Sequence, residues 1–276
     1  MLPENLQKKL HQLESDLQRM ESLLVAFSGG VDSSVLLAVA ARVLGERVLG
    51  VTAVSETYLS EELASARELA DALNIQLEVI ETEELAIPAF LENPPDRCYH
   101  CKHELFGKLK SVAEEKGLRF VADGSNADDT GDWRPGMKAA AELGVRSPLK
   151  EAGLTKDDIR TLARHMGLKN WDKPAMACLS SRFPYGQPIT KEKVDQVAAA
   201  ERYLRTLGFT QLRVRHHGDT ARIELPPDRL SEAVSRAEQI VSRFKEIGFT
   251  YVSLDLAGYR SGSMNETLEP TTWGQV

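Results

Sequence analysis

Residues 24–34, Leu-Val-Ala-Phe-Ser-Gly-Gly-Val-Asp-Ser-Ser, carry an apolar run into a glycine- and hydroxyl-rich turn, and a helical pattern opens behind it from Ser34 to Leu44. A strand, turn and helix in this order turns backbone N–H groups and the positive end of a helix toward an incoming phosphate. Gly29 and Gly30 let the main chain approach an anion closely. Ser28, Ser33 and Ser34 add hydroxyl donors, and Asp32 is a carboxylate suited to holding Mg²⁺ on the phosphates. The Gly-Lys-Ser/Thr of the nucleoside-triphosphatase loop does not follow. The competing reading is an ordinary tight turn before a helix.

Length and charge narrow the rest. The chain has 276 residues, which suits two domains of ordinary size, and its 42% hydrophobic and 27% charged content is that of a globular protein with a real core. A formal charge of −7 argues against a broad nucleic-acid surface. No apolar stretch approaches the roughly 18–20 residues that span a bilayer. Leu6, Leu10, Leu13, Leu17 and Met20 fall on one helical stripe with charges between them, which excludes a secretory signal and predicts a helix facing the core or an oligomer contact. Three cysteines, an odd number, disfavour a disulfide framework and make a reducing cytoplasm the expected compartment.

After the first strand and helix, the pattern predicts strands at 47–53, 76–80 and 119–122, alternating with helices at 60–73 and 102–116 and followed by a helix at 156–166 that opens with a Thr155–Asp158 capping box. That alternation implies an α/β fold, a doubly wound, mostly parallel sheet with helices on both faces. Ligands of such sheets bind beyond the carboxyl ends of the strands, where both the 28–33 loop and the Asp123-Gly124 turn fall. The first domain is expected over 1–169. A segment rich in proline and glycine, 170–189, is expected to cross into a smaller C-terminal α+β domain over 190–276. There the pattern gives a helix at 191–207, strands at 211–216 and 220–225, one helix at 228–247, a strand at 251–256 and a loosely ordered tail after Gly262.

Cys98 and Cys101 stand in Cys-Tyr-His-Cys just before a helix, and Cys178 follows in Cys-Leu-Ser-Ser-Arg. Three thiolates can hold a cubane iron–sulfur cluster with one iron lacking a protein ligand. They can equally form a zinc site completed by His100 or His103, a redox pair with a spare thiol, or three inert buried thiols. Arg213 and Arg215 alternate on a strand, so both guanidinium groups share a face suited to phosphate or carboxylate, or to pairing with nearby acids. Arg182 is a further candidate anion contact. Ser180 and Ser181 read either as hydrogen-bond donors or as turn caps.

Ser-Gly-Gly-Val-Asp-Ser resembles the loop of the ATP pyrophosphatases, which cleave ATP between the α and β phosphates and adenylate a substrate. Six further stretches extend the likeness: Asp123–Asp128, Asp132–Gly136, Arg146–Leu149, Cys178–Gly186, Arg213–Arg215 and Ala221–Leu225. Together they resemble LarE, the ATP-dependent sulfur transferases that make the nickel-pincer nucleotide cofactor of lactate racemase. The resemblance implies an adenine-nucleotide alpha-hydrolase-like fold and an ATP site over Ala26, Phe27, Ser28, Gly29, Gly30, Val31, Asp32, Ser33 and Ser34, with Ala53 and Gly124. It implies a mononucleotide substrate, pyridinium-3,5-biscarboxylic acid mononucleotide, bound by Ser181, Arg182, Arg213 and Arg215, whose carboxylates become thiocarboxylates. Some members sacrifice a cysteine sulfur, and others carry three cysteines and a 4Fe-4S cluster. Ala177 stands where the sacrificial cysteine aligns, so Cys98, Cys101 and Cys178 look like the cluster type, with sacrifice of Cys178 as the rival. Cys178 and Asp32 are then the catalytic pair. Glu201 and Glu224 match acidic positions associated with a divalent cation, Glu232 more weakly, and all three also read as ion-pair partners. The resemblance further implies a homo-oligomer such as a hexamer. A transfer-RNA-thiolating enzyme, an ammonia-using synthetase and a nucleotide sensor with structural zinc are the competing functions.

Overall fold

The computed structural model describes residues 2–57, 60–131, 135–174, 177–260 and 262–268. Asp132, Trp133 and Arg134 of the Asp132–Gly136 motif, and the tail from 269 onward, lie outside these residues. The chain forms two compact units, Met1–Glu83 with Cys98–Met176, and Glu84–Arg97 with Ala177–Val276. The boundary at 169 and the separate crossover at 170–189 are sequence expectations. Between the two compact units the break falls at 176/177, and residues 84–97 join the second unit.

The first unit is built on four parallel strands: β1 (Leu23–Ala26), β2 (Val48–Val54), β3 (Leu77–Glu81) and β4 (Phe120–Ala122), in the order β3-β2-β1-β4. β1 pairs with β2 from Leu23↔Val48 to Ala26↔Val51 and with β4 from Leu23↔Phe120 to Val25↔Ala122. Strand order therefore reverses at β1, which makes the carboxyl ends of β1 and β4 the crevice of the sheet. Successive side chains of β1 feed opposite faces. Leu23 and Val25 join a core with α1 (Glu4–Met20), α2 (Val31–Leu44), α3 (Ser60–Ala72) and α8 (Lys156–His165), while Leu24 joins a second core with α5 (Arg97–Glu115) and α6 (Pro135–Glu142). Helices on both faces confirm the doubly wound α/β class. α2 is apolar around most of its girth because it lies within that packing, with ten of its fourteen residues buried. α1 buries Leu6, Leu13, Leu17 and Met20 in the same core, so its stripe faces inward.

α5 starts five residues before the expected Lys102. The Arg97 N–H bonds to the Pro94 carbonyl at 3.0 Å, and prolines preset the dihedrals of a first helical turn, so Cys98 and Cys101 lie inside the helix and not before it. The short helix α4 (Pro88–Leu91) belongs to the second unit, and α7 (Pro148–Glu151) to the first.

In the second unit, α9 (Lys191–Thr206) starts at an N-cap, Thr190, whose side chain accepts the Lys193 N–H. β5 (Arg213–His217) and β6 (Thr220–Glu224) form an antiparallel hairpin, and β7 (Tyr251–Leu254) lies parallel to β6. The single helix expected at 228–247 is two, α10 (Leu230–Ser235) and α11 (Ala237–Ile247). Arg236 leaves helical geometry between them (φ −107°, ψ 16°) and donates through Nη1 to the Leu207 carbonyl at 3.0 Å, a tertiary contact that outweighs helix continuity. The tail expected to be loose contains a 3₁₀ turn, Ser263–Thr267. α9, α10 and α11 pack on the sheet around Leu204, Leu212, Val214, Ile223 and Phe244.

Candidate active site

The loop after β1 is a small hydrogen-bonded cage. The Gly30 N–H donates to Ser28 Oγ (3.3 Å), the Ser28 N–H donates to Ser33 Oγ (3.3 Å), and Ser33 and Ser34 hydroxyls donate to the Gly30 carbonyl (3.1 and 2.7 Å). Gly29 sits at φ +72°, where a side chain is strained. The Phe27 ring is only 2% exposed and belongs to the core, its N–H bonds to the Val51 carbonyl, and its carbonyl takes the Thr52 hydroxyl. Phe27 therefore anchors the loop and presents no ring to a nucleotide. Val31 is buried, and Ala26 and Ala53 are half-buried on their strands.

Gly124, at the end of β4, meets this loop. A Cβ there would stand 2.8 Å from the Ser33 nitrogen, so only glycine lets the end of β4 close on the first turn of α2. Asp123 beside it takes the Ser125 and Ser147 hydroxyls, each at 2.8 Å. Asp32 Oδ1 accepts the Asn126 amide at 3.2 Å, and its Oδ2 is ion-paired with Lys156. Lys156 is the first residue of α8, held by the Thr155–Asp158 capping box and by its own N–H donated to Asp128 at 2.8 Å. The Asn170 amide donates to the Gly29 carbonyl (3.1 Å) and to Ser34 Oγ (2.8 Å). Lys156, Asn126 and Asn170 were not among the residues expected from sequence. The capping box was legible there, but nothing local says that its first helical residue reaches a loop more than a hundred positions earlier.

Cys98 and Cys101 lie three residues apart on one face at the start of α5, Cys98 exposed and Cys101 partly so. A helix N-terminus favours the thiolate form. α6 braces this end of the helix: a Cβ on Gly136 would lie 2.8 Å from Lys102 Cγ and 3.4 Å from the Cys98 carbonyl, and Tyr99 donates to Glu142 at 2.7 Å. None of the three cysteines is in a disulfide.

In the second unit Cys178 is exposed, at the N-cap of a 3₁₀ turn, Leu179–Arg182. Arg182 has no exposed surface. Its Nε and Nη2 hold Glu201 at 2.7 and 2.9 Å. Arg215 makes the same two-point contact with Glu224 at 2.9 and 2.7 Å, and adds the Ser181 carbonyl (2.7 Å) and Ser263 Oγ (2.9 Å). Arg213 stands over the Tyr259 ring, 5.3 Å from its centroid. Arg205 and Arg222 share the same two carboxylates. Burial and then the neighbouring Arg182 charge pull the Arg213 guanidinium below its ordinary pKa. Burial alone would raise the Glu201 carboxyl. The Arg182 charge and hydrogen bonds, the Val214 amide and Arg205 outweigh it and hold Glu201 below the usual carboxylate range. Glu201 and Glu224 are thus buried and occupied by arginine, and their oxygens are committed before any cation arrives. Among the described residues no group of three His, Cys, Asp or Glu is assembled as a metal cage. Ser180 Oγ is buried and has no hydrogen-bond partner among the described residues, and Glu232 pairs with Arg229 and Arg236 at the surface.

The family model for asparagine synthase matches residues 11–106, the stretch that contains the loop. A protein of Lactiplantibacillus plantarum, pyridinium-3,5-bisthiocarboxylic acid mononucleotide synthase, is 42% identical over 93% of both chains. An uncharacterised Synechocystis protein, slr1717, is 46% identical over 95% of this chain and 99% of its own. A glutamine-hydrolysing GMP synthase component of Archaeoglobus fulgidus is 28% identical over 65% of this chain and 62% of its own. An adenylating loop at the β1/β4 crevice, within a sequence matched almost end to end by a bisthiocarboxylic acid mononucleotide synthase, places the chain in the LarE family of ATP-dependent sulfur transferases.

Proposed function

We propose that this chain adenylates the carboxylates of pyridinium-3,5-biscarboxylic acid mononucleotide and converts them to thiocarboxylates for a nickel-pincer cofactor. The observation that carries the reading is the cage at residues 28–34 closed by Gly124, with Asp32 and Lys156 beside it. A substrate carboxylate oxygen bonds to the α-phosphorus, the bond from that phosphorus to the bridging oxygen breaks, and pyrophosphate departs. The loop amides and hydroxyls stabilise charge on the phosphoryl oxygens, and Lys156 exchanges Asp32 for the departing pyrophosphate. Released from Lys156, Asp32 would hold Mg²⁺ on the phosphates, where the ion would screen charge on the leaving group. A single carboxylate fits that ion, which takes one or two protein ligands and completes its shell with water and phosphate oxygens.

The acyl adenylate is attacked at carbon by sulfur, the carbon–oxygen bond to AMP breaks, and AMP leaves. Four guanidinium groups share the Glu201 and Glu224 carboxylates, and Arg213 stands beside them over Tyr259. That local surplus of positive charge supports Arg213 as a contact for the substrate's anionic groups, whereas Arg215 is spent on Glu224, the Ser181 carbonyl and Ser263. Cys98, Cys101 and Cys178 would hold a 4Fe-4S cluster. Two thiols on one helical face, at the end that favours thiolate, fit such a group. When bound, it supplies an iron without a protein ligand at which exogenous sulfide is held. The exposure of Cys178 favours a second reading, in which its own sulfur is given up and dehydroalanine remains. No helix among the described residues is long and apolar enough to cross a membrane, and we assign the enzyme to the reducing cytoplasm as a homo-oligomer.

Asp32→Ala is expected to abolish pyrophosphate release while the fold persists, and retained release would sink the adenylation reading. Anaerobic protein should carry iron and acid-labile sulfide that each of Cys98→Ala, Cys101→Ala and Cys178→Ala removes. An intact mass lowered by one H₂S after a single turnover would instead select the sacrificial route.

A further inference from the structure

We infer that Arg182 is the positioning residue of the Cys178 loop and makes no contact with substrate. The proposal deepens the reading above, since it rests on Cys178 taking part in the reaction, whichever way sulfur arrives. Its ground is the saturation of one guanidinium. Nε and Nη2 are spent on Glu201, and Nη1 donates to the carbonyls of Ala177 (2.8 Å) and Cys178 (3.0 Å) and to Ser181 Oγ (2.8 Å). With no exposed surface, the group cannot reach an anion entering from solvent.

What it does instead is fix a backbone. The Cys178 carbonyl also accepts the Ser181 N–H at 3.1 Å and the Ser181 hydroxyl at 2.9 Å, so three donors converge on it. An exposed cysteine has one rotatable bond before its sulfur, so the main chain decides where that sulfur points. Glu201 fixes Arg182 in turn, because it also accepts the Val214 N–H at 3.1 Å and so ties the guanidinium to β5. The chain of command runs from β5 through Glu201 and Arg182 to the Cys178 carbonyl. Lysine cannot replace it: three donors on one point lack the fork that grips a carboxylate and a loop at once.

The test uses the full chain with Arg182→Lys and, as a milder change that keeps the buried ion pair, Ser181→Ala. Thiocarboxylate kcat should fall by about tenfold or more in Arg182→Lys, the scale of a misplaced reacting group, while the substrate KM stays within about twofold. Iodoacetamide is the second probe, applied to protein in which Cys98→Ser and Cys101→Ser leave Cys178 as the reporting thiol. Its alkylation rate should change by about threefold or more in Arg182→Lys and in the same direction, by less, in Ser181→Ala. A KM raised about tenfold with kcat preserved would make Arg182 a substrate contact and overturn the inference. So would alkylation rates unchanged in both variants. If Arg182→Lys does not fold, the Ser181→Ala result decides. Sulfur transfer retained by Cys178→Ser would defeat the functional reading and leave the alkylation result standing.

Discussion

Lys156 carries the charge that the loop itself lacks. A glycine-serine turn offers amides and hydroxyls but no cation, and pyrophosphate leaves with more negative charge than any of these can offset alone. Lys156 meets that need because its Nζ already sits on Asp32, two residues beyond Gly30 of the loop. Lys156→Ala is expected to slow pyrophosphate release by about 100-fold, the usual loss when one charge-stabilising donor is removed. Lys156→Arg should recover part of it, and ATP binding measured by calorimetry should weaken less than turnover does. Equal turnover in Lys156→Ala and the parent chain would remove Lys156 from the chemistry. At the same scale, Phe27 and Gly124 show how far single residues could be read. Gly124 was expected near the nucleotide and meets the loop backbone, whereas Phe27, expected beside it, is buried core because the alternation of β1 carries on one residue past its end and puts Phe27 on the face of Leu23 and Val25.

Elements announced themselves where a local interaction defines them. The Thr155–Asp158 box is present with both reciprocal bonds, and the strand and helix order of the first unit follows from periodicity. The α10–α11 break did not announce itself, because it depends on Arg236 reaching a carbonyl in another element. The 3₁₀ turn after Gly262 was equally hidden, although its Ser263 and Asn265 accept hydrogen bonds from Arg215 and Tyr185. The capping box gives a prediction that joins element to site. Thr155→Ala should cost about 0.5–2 kcal/mol of stability, measured by urea unfolding, because it strands the first N–H groups of α8. Since Lys156 is the first residue of that helix, pyrophosphate release should fall together with the urea midpoint. A stability loss with unchanged release would show that Lys156 is held by Asp128 alone.

Across the whole molecule, the doubly wound sheet was legible because its alternation is local and its ligand crevice follows from strand order. The allocation of 84–97 to the second unit was not. It depends on Asn93, fully buried at φ +55°, whose amide donates to the carbonyls of Phe183, Pro184 and Gln187 some ninety residues later. The same unit holds a titrating group that links folding to pH. His216 is packed between Phe183 and Phe249, with ring centroids 5.4 Å from each, and its Nε2 faces Gln196 at 3.1 Å. Burial, followed by the Lys193 charge, lowers its pKa, with Asp219 pulling the other way. A lowered folded pKa means that the unfolded chain binds a proton first. Above about pH 6.5 both states are neutral and the full stability is present. As pH falls from there through the folded value, the unfolded state gains protons and stability is lost. Native Glu201 does not confuse this window, because a carboxyl held below its usual range loses its contribution only at lower pH. The urea midpoint should therefore drop between pH 7.5 and 5.5, and His216→Gln should flatten that drop even though it lowers the midpoint at every pH by disturbing the aromatic stack. Parallel curves for the two proteins would assign the pH dependence to other groups, and His217, whose pKa burial also lowers, would be the next to substitute.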